Sequence, residues 1–429
     1  MWRLGFKSVP KHDKASSMTN QAKRPSTLSP FAHHAFLWLW LASLGSNLAT
    51  AIQSVGASWT MTGLTSQADM VALIQTAMSL PVMLFALVGG AVADIYSRPR
   101  VMLACQILMG LVSLLLAFLA ERHLATPWSL LGLTFALGVG LAFYNPCGQA
   151  SISQIVPRGE IAGAVGLQIL GFNVARSVGP ALGGAIVALS SPTAAFVVTA
   201  LGYFAAAAIL LLRRPLGNAP AAHPGGSISR AIREGVLYAG RSPQVRSVLI
   251  RGAAFTLAGS AAWALMPLVA RDLIRGGPSQ FGLLLGALGL GAVIGAAASH
   301  KVRAHFSAEA IIRGAGLIYG AACLVVAAQP GLWASFLALV VGGAGWVQAL
   351  SGFSVTGQLW SPRPVVGRVA ATINMVIYGG LAIGSWLWGH AVEAIGLAPA
   401  LAVSGGAMVM LPLLGVLLPL PRHEDAPTG

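Results

Sequence analysis

Gly90-Ala91-Val92-Ala93-Asp94-Ile95-Tyr96-Ser97-Arg98-Pro99-Arg100 separates two long apolar runs, 70–93 and 101–120, neither of which contains a charged residue. Uncharged runs near twenty residues have the length of a membrane-spanning helix. The stretch between them is then a short turn at a membrane surface, holding one carboxylate and two guanidiniums. Asp94 falls at the C-terminal end of its helix, where the helix dipole disfavours a negative charge. That position calls for a partner: Arg98, Arg100, or the positive N-terminus of another helix. Gly90 lets a neighbouring backbone come close. A solvated loop whose arginines only set topology would use the same residues, and the spacing leaves both readings open.

The whole chain has this character. Of 429 residues, 56% are hydrophobic and only 9% charged, and the mean hydropathy is +0.76. A soluble domain carries about 25% charged residues. The composition therefore describes an integral membrane protein, and runs near twenty residues describe helices rather than a barrel. The 52 glycines suit close helix packing in lipid. The net charge of +15 does not point to nucleic acid, because the basic residues sit in the tails and in alternate loops, as a topology signal does. Cys105, Cys147 and Cys323 each lie within an apolar run and read as small packing residues.

Residues 1–33 form a basic tail with Arg3, Lys7, Lys11, Lys14, Lys23 and Arg24 and no apolar stretch, so no cleaved signal peptide is expected, and Met18 is an alternative start. Spans are expected near 35–58, 68–93, 100–120, 127–150, 160–188 and 192–212, then 248–270, 279–300, 309–328, 331–353, 367–390 and 396–420. These make a first six-helix bundle over 34–212, a linker over 213–246, a second bundle over 247–420 and a short tail over 421–429. With the tails inside, the inner segments hold almost all the basic residues and the outer ones only Arg122, Arg271 and Arg275. The expected location is a bacterial inner membrane, crossed many times, with both termini cytoplasmic.

The halves resemble each other. Gly90, Asp94 and Arg98 recur 205 residues later as Gly295, Ser299 and Arg303. Asn173, Gly179 and Gly183 recur 201 residues later as Asn374, Gly380 and Gly384. Repeated six-helix units mark a secondary transporter with a midplane site between the halves.

Arg176 is the residue within a span that most needs a reason, since a charge at a helix centre costs at least roughly 2.5–3.5 kcal/mol. At about 100° per residue, Asn173, Arg176, Gly179, Pro180, Gly183 and Gly184 share an arc of roughly 140°. One reading has Arg176 lining a pathway and attracting an anion. The other has it held structurally by helix-end carbonyls, Asn145 or Gln149. Gly179, Pro180, Gly183 and Gly184 form a seam for close packing, and Pro180 can bend it. Asn47, Gln75, Asn145, Gln348 and Asn374 are further candidates to contact substrate, and Trp263 could supply a stacking surface; each also suits interhelical glue. No carboxylate lies in mid-span, which leaves Asp69, Glu393, Asp94 and, less suitably, His390 as proton carriers. No phosphate-cradling loop or metal-ligand spacing appears, and His33-His34 read as interfacial. No enzyme activity, cofactor or metal is expected.

On these residues the chain resembles the major facilitator superfamily. The stretch from Gly90 to Arg100 is similar to its loop 2–3 signature, with Ile95, Ser97 and Pro99 departing from the usual pattern. Gly179-Pro180-x2-Gly183-Gly184 is similar to the fifth-helix signature of its antiporters. The segments from Phe143 through Gly184 and from Gly282 through Gly295 resemble the bacterial branch that contains enterobactin exporters. The resemblance implies an all-α fold of about twelve transmembrane helices in two pseudo-symmetric six-helix bundles. It implies rocker-switch export of a small amphipathic or anionic compound, siderophore- or drug-like, driven by protons through a monomer in the lipid bilayer. It further implies a latch of Gly90, Asp94, Arg98 and Arg100, with Asp94 reaching the N-terminus of the eleventh helix near Arg368 when the inside is closed. Two alternatives stay open: an uptake permease for an organic acid, sugar or lysolipid, and a non-transporting sensor or scaffold.

Overall fold

The computed structural model describes residues 28–213, 240–361 and 366–420. Met18, most of the expected linker and the C-terminal tail lie outside the described residues. Twelve helices among the described residues are long and apolar enough to cross a membrane. In chain order they are α1 (His34–Leu64), α2 (Ala68–Ile95), α3 (Arg98–Glu121), α4 (Pro127–Ile155), α5 (Ile161–Leu189) and α6 (Pro192–Arg213). Then come α7 (Pro243–Ala264, continued by Met266–Leu268 and a π-helical turn, Val269–Leu273), α8 (Pro278–His305), α9 (Ala308–Ala327), α10 (Leu332–Leu359), α11 (Val366–Ile395) and α12 (Leu397–Leu417).

Local chemistry sets the ends. Thr126 caps α4 by accepting from the Ser129 amide at 3.2 Å, with Pro127 in the first turn. Ser307 caps α9 in the same way at 3.2 Å. Such hydroxyls satisfy amides that the helix leaves unpaired. α7 begins five residues before the expected 248, because Ser242 accepts from Val245 and Pro243 occupies the first helical turn. Gly331 and Gly396 stand at φ 92° and 87°, a backbone that glycine adopts without strain.

The packing pattern repeats between halves. In the first, α1 packs on α5 and α6, α2 on α4, and α3 on α4 and α6; in the second, α7 packs on α11 and α12, α8 on α10, and α9 on α10 and α12. The bundles join through α2 against α11 and α5 against α8, which are the same pairing with the halves exchanged. Side chains repeat as well: Arg98 of α3 donates to the Ala150 carbonyl of α4 at 2.8 Å, while Arg303 near the end of α8 donates to Ser351 of α10.

An even number of crossings puts both tails on one side, called here the tail side; the other is the far side. On the far side the bundles meet. Glu393 of α11 accepts from the Ala68 amide of α2 at 2.5 Å, and Arg271 in the π-helical turn of α7 donates to the Thr62 carbonyl of α1 at 3.1 Å. Gly184 and Gly282 bring α5 and α8 so close that a Cβ on either would strike the other helix's backbone. Glycine at both positions is what allows that approach.

The seam ends near mid-height. Along α2, residues 69, 72, 76 and 83 follow one helical stripe and face α11: Gly389 abuts Asp69 and Ala72, Thr76 donates to the Ala382 carbonyl at 2.9 Å, and Met83 lies under Gly379. The stripe continues to Gly90 and Asp94. There a Cβ on Gly90 would meet nothing within 4 Å, and the Asp94 side chain is 67% exposed. The bundles are therefore closed on the far side and parted on the tail side.

Candidate functional site

The parted halves enclose a cleft whose apex is Arg176. On α5, Val165, Ile169 and Phe172 lead up to it in successive steps of four, three and four residues, and all three are exposed. They share its helical face, whereas Val174, Val178 and Leu182 are exposed on the opposite, lipid-facing side. Asn374 of α11 is also exposed. It lies nine residues, or half a helical turn in angle, from the lipid-facing Ile383, so it faces the cleft. Gly367, close to it in angle, has no neighbour within 4 Å of an added Cβ. The tail-side cleft thus has an apolar wall on α5 and a guanidinium above it.

The Arg176 guanidinium lies 4.2 Å from the centre of the Trp263 ring on α7. This is a cation–π contact between the bundles. Among the described residues no acid pairs with Arg176, and neither Asn145 nor Gln149 holds it. The side chain is half-buried. Trp263 is backed by Trp346 at 6.1 Å, within an aromatic cluster that includes Phe255 and Tyr319.

The other predicted residues divide. Asn173 is buried one turn from Arg176 on the same arc, at 4% exposure. Asn145 and Asn47 are half-buried. Gln75 donates to Ser79 one turn along its own helix at 3.0 Å. Gln348 is turned into its own bundle: its amide donates to the Gly295 carbonyl at 2.9 Å and its oxygen lies 3.2 Å from Ser299. That side chain packs α10 on α8 within the second bundle, using one of its two N–H donors and one acceptor site on its oxygen. Gly179 and Gly183 pack α5 on α1, while Pro180 and Gly184 pack it on α8.

In the turn after α2, Arg98 donates to the Ala93 carbonyl at 2.9 Å as well as to Ala150, and its guanidinium is 3.9 Å from Asp94. Arg98 is therefore an anchor between α2 and α4. Arg100 is exposed, and Arg368 is half-buried near the start of α11. His33 contacts Glu160 at 3.1 Å, joining the tail-side ends of α1 and α5.

One charged group escaped the sequence reading. Arg251, about two turns inside α7, is 4% exposed and pairs with Glu309 at 2.5 Å. Glu309 also holds Arg313 at 2.5 Å and accepts from the Leu420 amide at 3.2 Å, while Arg251 donates to the Leu418 carbonyl at 3.3 Å. The cluster ties the chain after α12 to α7 and α9. Fifty-eight residues separate Arg251 from its acid, so no local spacing announces the pair.

A family model described as transmembrane secretion effector matches residues 25–428. The chain belongs to that family of major facilitator superfamily transporters. It is not an enzyme, and its twelve apolar helices make it a multi-pass protein of a bacterial inner membrane. It is 25% identical over 420 residues to the multidrug efflux pump Tap of Mycolicibacterium fortuitum, covering 95% of this chain and 99% of the pump. It is 27% identical over 398 residues to the enterobactin exporter EntS of Citrobacter koseri, covering 90% and 92%. Among solved structures, the nucleoside transporter NupG superposes with a TM-score of 0.74 at 12% identity, over 90% of this chain and 99% of that one. A bacterial homologue of the human lysosomal transporter Spinster, inward-facing and unoccupied, does so with a TM-score of 0.68 at 17% identity, over 91% and 95%. The two-bundle architecture expected from the repeat is thus the architecture found.

Proposed function

We propose that this transporter exports an amphipathic compound bearing a negative group, by alternating access between its two bundles. The observation that carries the reading is the Arg176 guanidinium at the top of a cleft, facing an aromatic ring and, among the described residues, no acceptor. A guanidinium offers five donors in a planar fork that matches a carboxylate, sulfonate or phosphate. The apolar wall of Val165, Ile169 and Phe172 suits the rest of such a molecule. Asn173, Asn145, Asn47 and Asn374 are the polar side chains to complete the site. The tail side is taken as cytoplasmic from the positive-inside bias, so the structure corresponds to an inward-open loading state. The efflux relatives Tap and EntS support export as the direction.

Closing the tail side would bring Asp94 to the N-terminus of α11, as the Gly90–Arg100 signature suggests. The stripe from Asp69 to Asp94 on one face of α2 supports this, since its far-side half already docks on α11. Proton coupling would use the carboxylates at the ends of this helix pair: Asp94, Asp69 or Glu393. One chain holds both bundles, and a monomer suffices for the cycle.

The test is transport of tritiated octanesulfonate into inverted membrane vesicles. Arg176→Gln should lower the rate at least tenfold, because charge-assisted hydrogen bonds to a ligand are worth about 1.5–3 kcal/mol. Octyltrimethylammonium should show no such loss. Equal octanesulfonate transport by the variant and the parent protein would remove Arg176 from the pathway.

A further inference from the structure

Arg176 and Trp263 belong to different bundles and meet where α5 and α8 come together. Gly289 of α8 lies against the backbone of Arg176 and Ser177 at that level. The two partners of the contact differ in freedom. Trp263 leans on Trp346, which in turn packs on Phe255 at 5.3 Å and Tyr319 at 5.0 Å, so the ring is fixed from behind. Arg176 is a long side chain facing a cleft, with no acceptor for its N–H groups among the described residues.

A ring face offsets the positive charge but accepts few of its hydrogen bonds. An anion offsets the charge and also takes two of the N–H groups in parallel. The two cannot be equal competitors for the same guanidinium.

We propose that Trp263 is a placeholder: it holds the Arg176 guanidinium while the cleft is empty and yields it to the anionic group of the arriving substrate. This rests on the anion-binding reading of Arg176 given above. Two consequences follow from the positions of the residues. A cationic amphiphile is repelled by the guanidinium and cannot take the ring's place, so the resting contact discriminates by headgroup charge. Loading also breaks a contact between α5 and α7, which removes one tie between the bundles close to the level where the far-side seam begins. Trp263 is in this sense a positioning residue that acts through Arg176.

The experiment measures binding of octanesulfonate and octyltrimethylammonium to the full-length protein in lipid nanodiscs by calorimetry, together with tryptophan emission. Trp263→Leu removes the competing ring and should tighten octanesulfonate binding by about 5- to 30-fold. Trp263→Phe keeps a weaker ring face and should fall between Trp263→Leu and the parent, which also serves if the leucine variant does not fold. Octyltrimethylammonium should gain nothing in either. Octanesulfonate should change the emission of the parent protein, and that change should be missing from both Trp263 variants. Unchanged or weaker octanesulfonate binding in both Trp263 variants, with Arg176→Gln still abolishing it, would overturn the placeholder while leaving Arg176 as the anion site. Full binding by Arg176→Gln would instead overturn the reading on which the proposal rests.

Discussion

Gly282→Ala is a one-carbon change that should move the whole conformational equilibrium. A Cβ on Gly282 would strike the Pro180 carbonyl oxygen and stand 2.9 Å from the Gly184 Cα and 3.1 Å from its nitrogen. All three are backbone atoms of α5, so no side chain can swing aside. Forcing a methyl into such a contact costs about 1–3 kcal/mol. Alanine also favours a helix by about 1 kcal/mol over glycine, but that gain is equal in both states and cancels from the equilibrium between them. Only the far-side-closed state carries the clash. The population of the far-side-open state relative to it should therefore rise about 5- to 150-fold. Electron spin–spin distances between labels at Glu121→Cys and Trp333→Cys would read this, as both positions lie at far-side helix ends in opposite bundles and are exposed. The three native cysteines are buried, so labelling can be directed to the introduced pair. The variant should show a longer-distance population that the parent lacks or holds as a minor component. Identical distance distributions would mean that the glycine seam does not limit far-side opening, and the reasoning would fail.

The carboxylates at the ends of the α2–α11 pair should act in opposite directions. Glu393→Gln weakens a charge-assisted contact with the α2 N-terminus, and far-side crosslinking between the bundles should drop by roughly fivefold for a loss of about 1 kcal/mol. Asp94→Asn should leave expression and membrane insertion near normal while lowering transport and the tail-side-closed population measured by cysteine crosslinking. An inward/outward balance equal to that of the parent would count against the latch.

Much of this organisation is legible in the sequence because lipid imposes a coarse rule. Uncharged runs of the right length become helices, and the alternation of basic loops orders them, so the twelve spans emerge within a few residues of α1 to α12. Arg176 stands out for the same reason, as a charge where charges are costly. Trp263 could be named only as a stacking surface, because its partner lies 87 positions earlier in the chain and nothing local encodes the pairing. Gln348 shows the converse. A polar residue in a span has two explanations, and only the Gly295 carbonyl beside it shows that packing uses it. Arg251 went unnoticed because it lies only three residues inside the span expected from 248, where an arginine reads as a topology marker, although α7 begins at Pro243 and places it about two turns in. Its burial depends on Glu309 and the chain after α12 folding over it.

Under the proposed alternating access, the pairing of α2 with α11 sets two caps of similar chemistry against each other. The two helices run antiparallel, and each carries a carboxylate beside its own C-terminus: Asp94 one residue before the end of α2, Glu393 two before the end of α11. In that position the carboxylate is opposed by its own helix dipole, and each helix presents unpaired amides at the opposite end. An antiparallel pair can relieve both conflicts by exchange, each carboxylate capping its neighbour's N-terminus. At the far end this exchange is made, Glu393 to the Ala68 amide at 2.5 Å. At the tail end it is not, and Asp94 is left 67% exposed with Arg98 at 3.9 Å. Under the alternating access proposed above, straight helices close one end by opening the other, and the two caps then compete rather than add. Each is worth about 0.3–1 kcal/mol at an exposed site and up to about 2 when partly buried. Contacts of similar size at the two ends keep their contribution to the gap between states within about 2 kcal/mol, a gap that a ligand reverses only if its affinities for the two states differ by more than that.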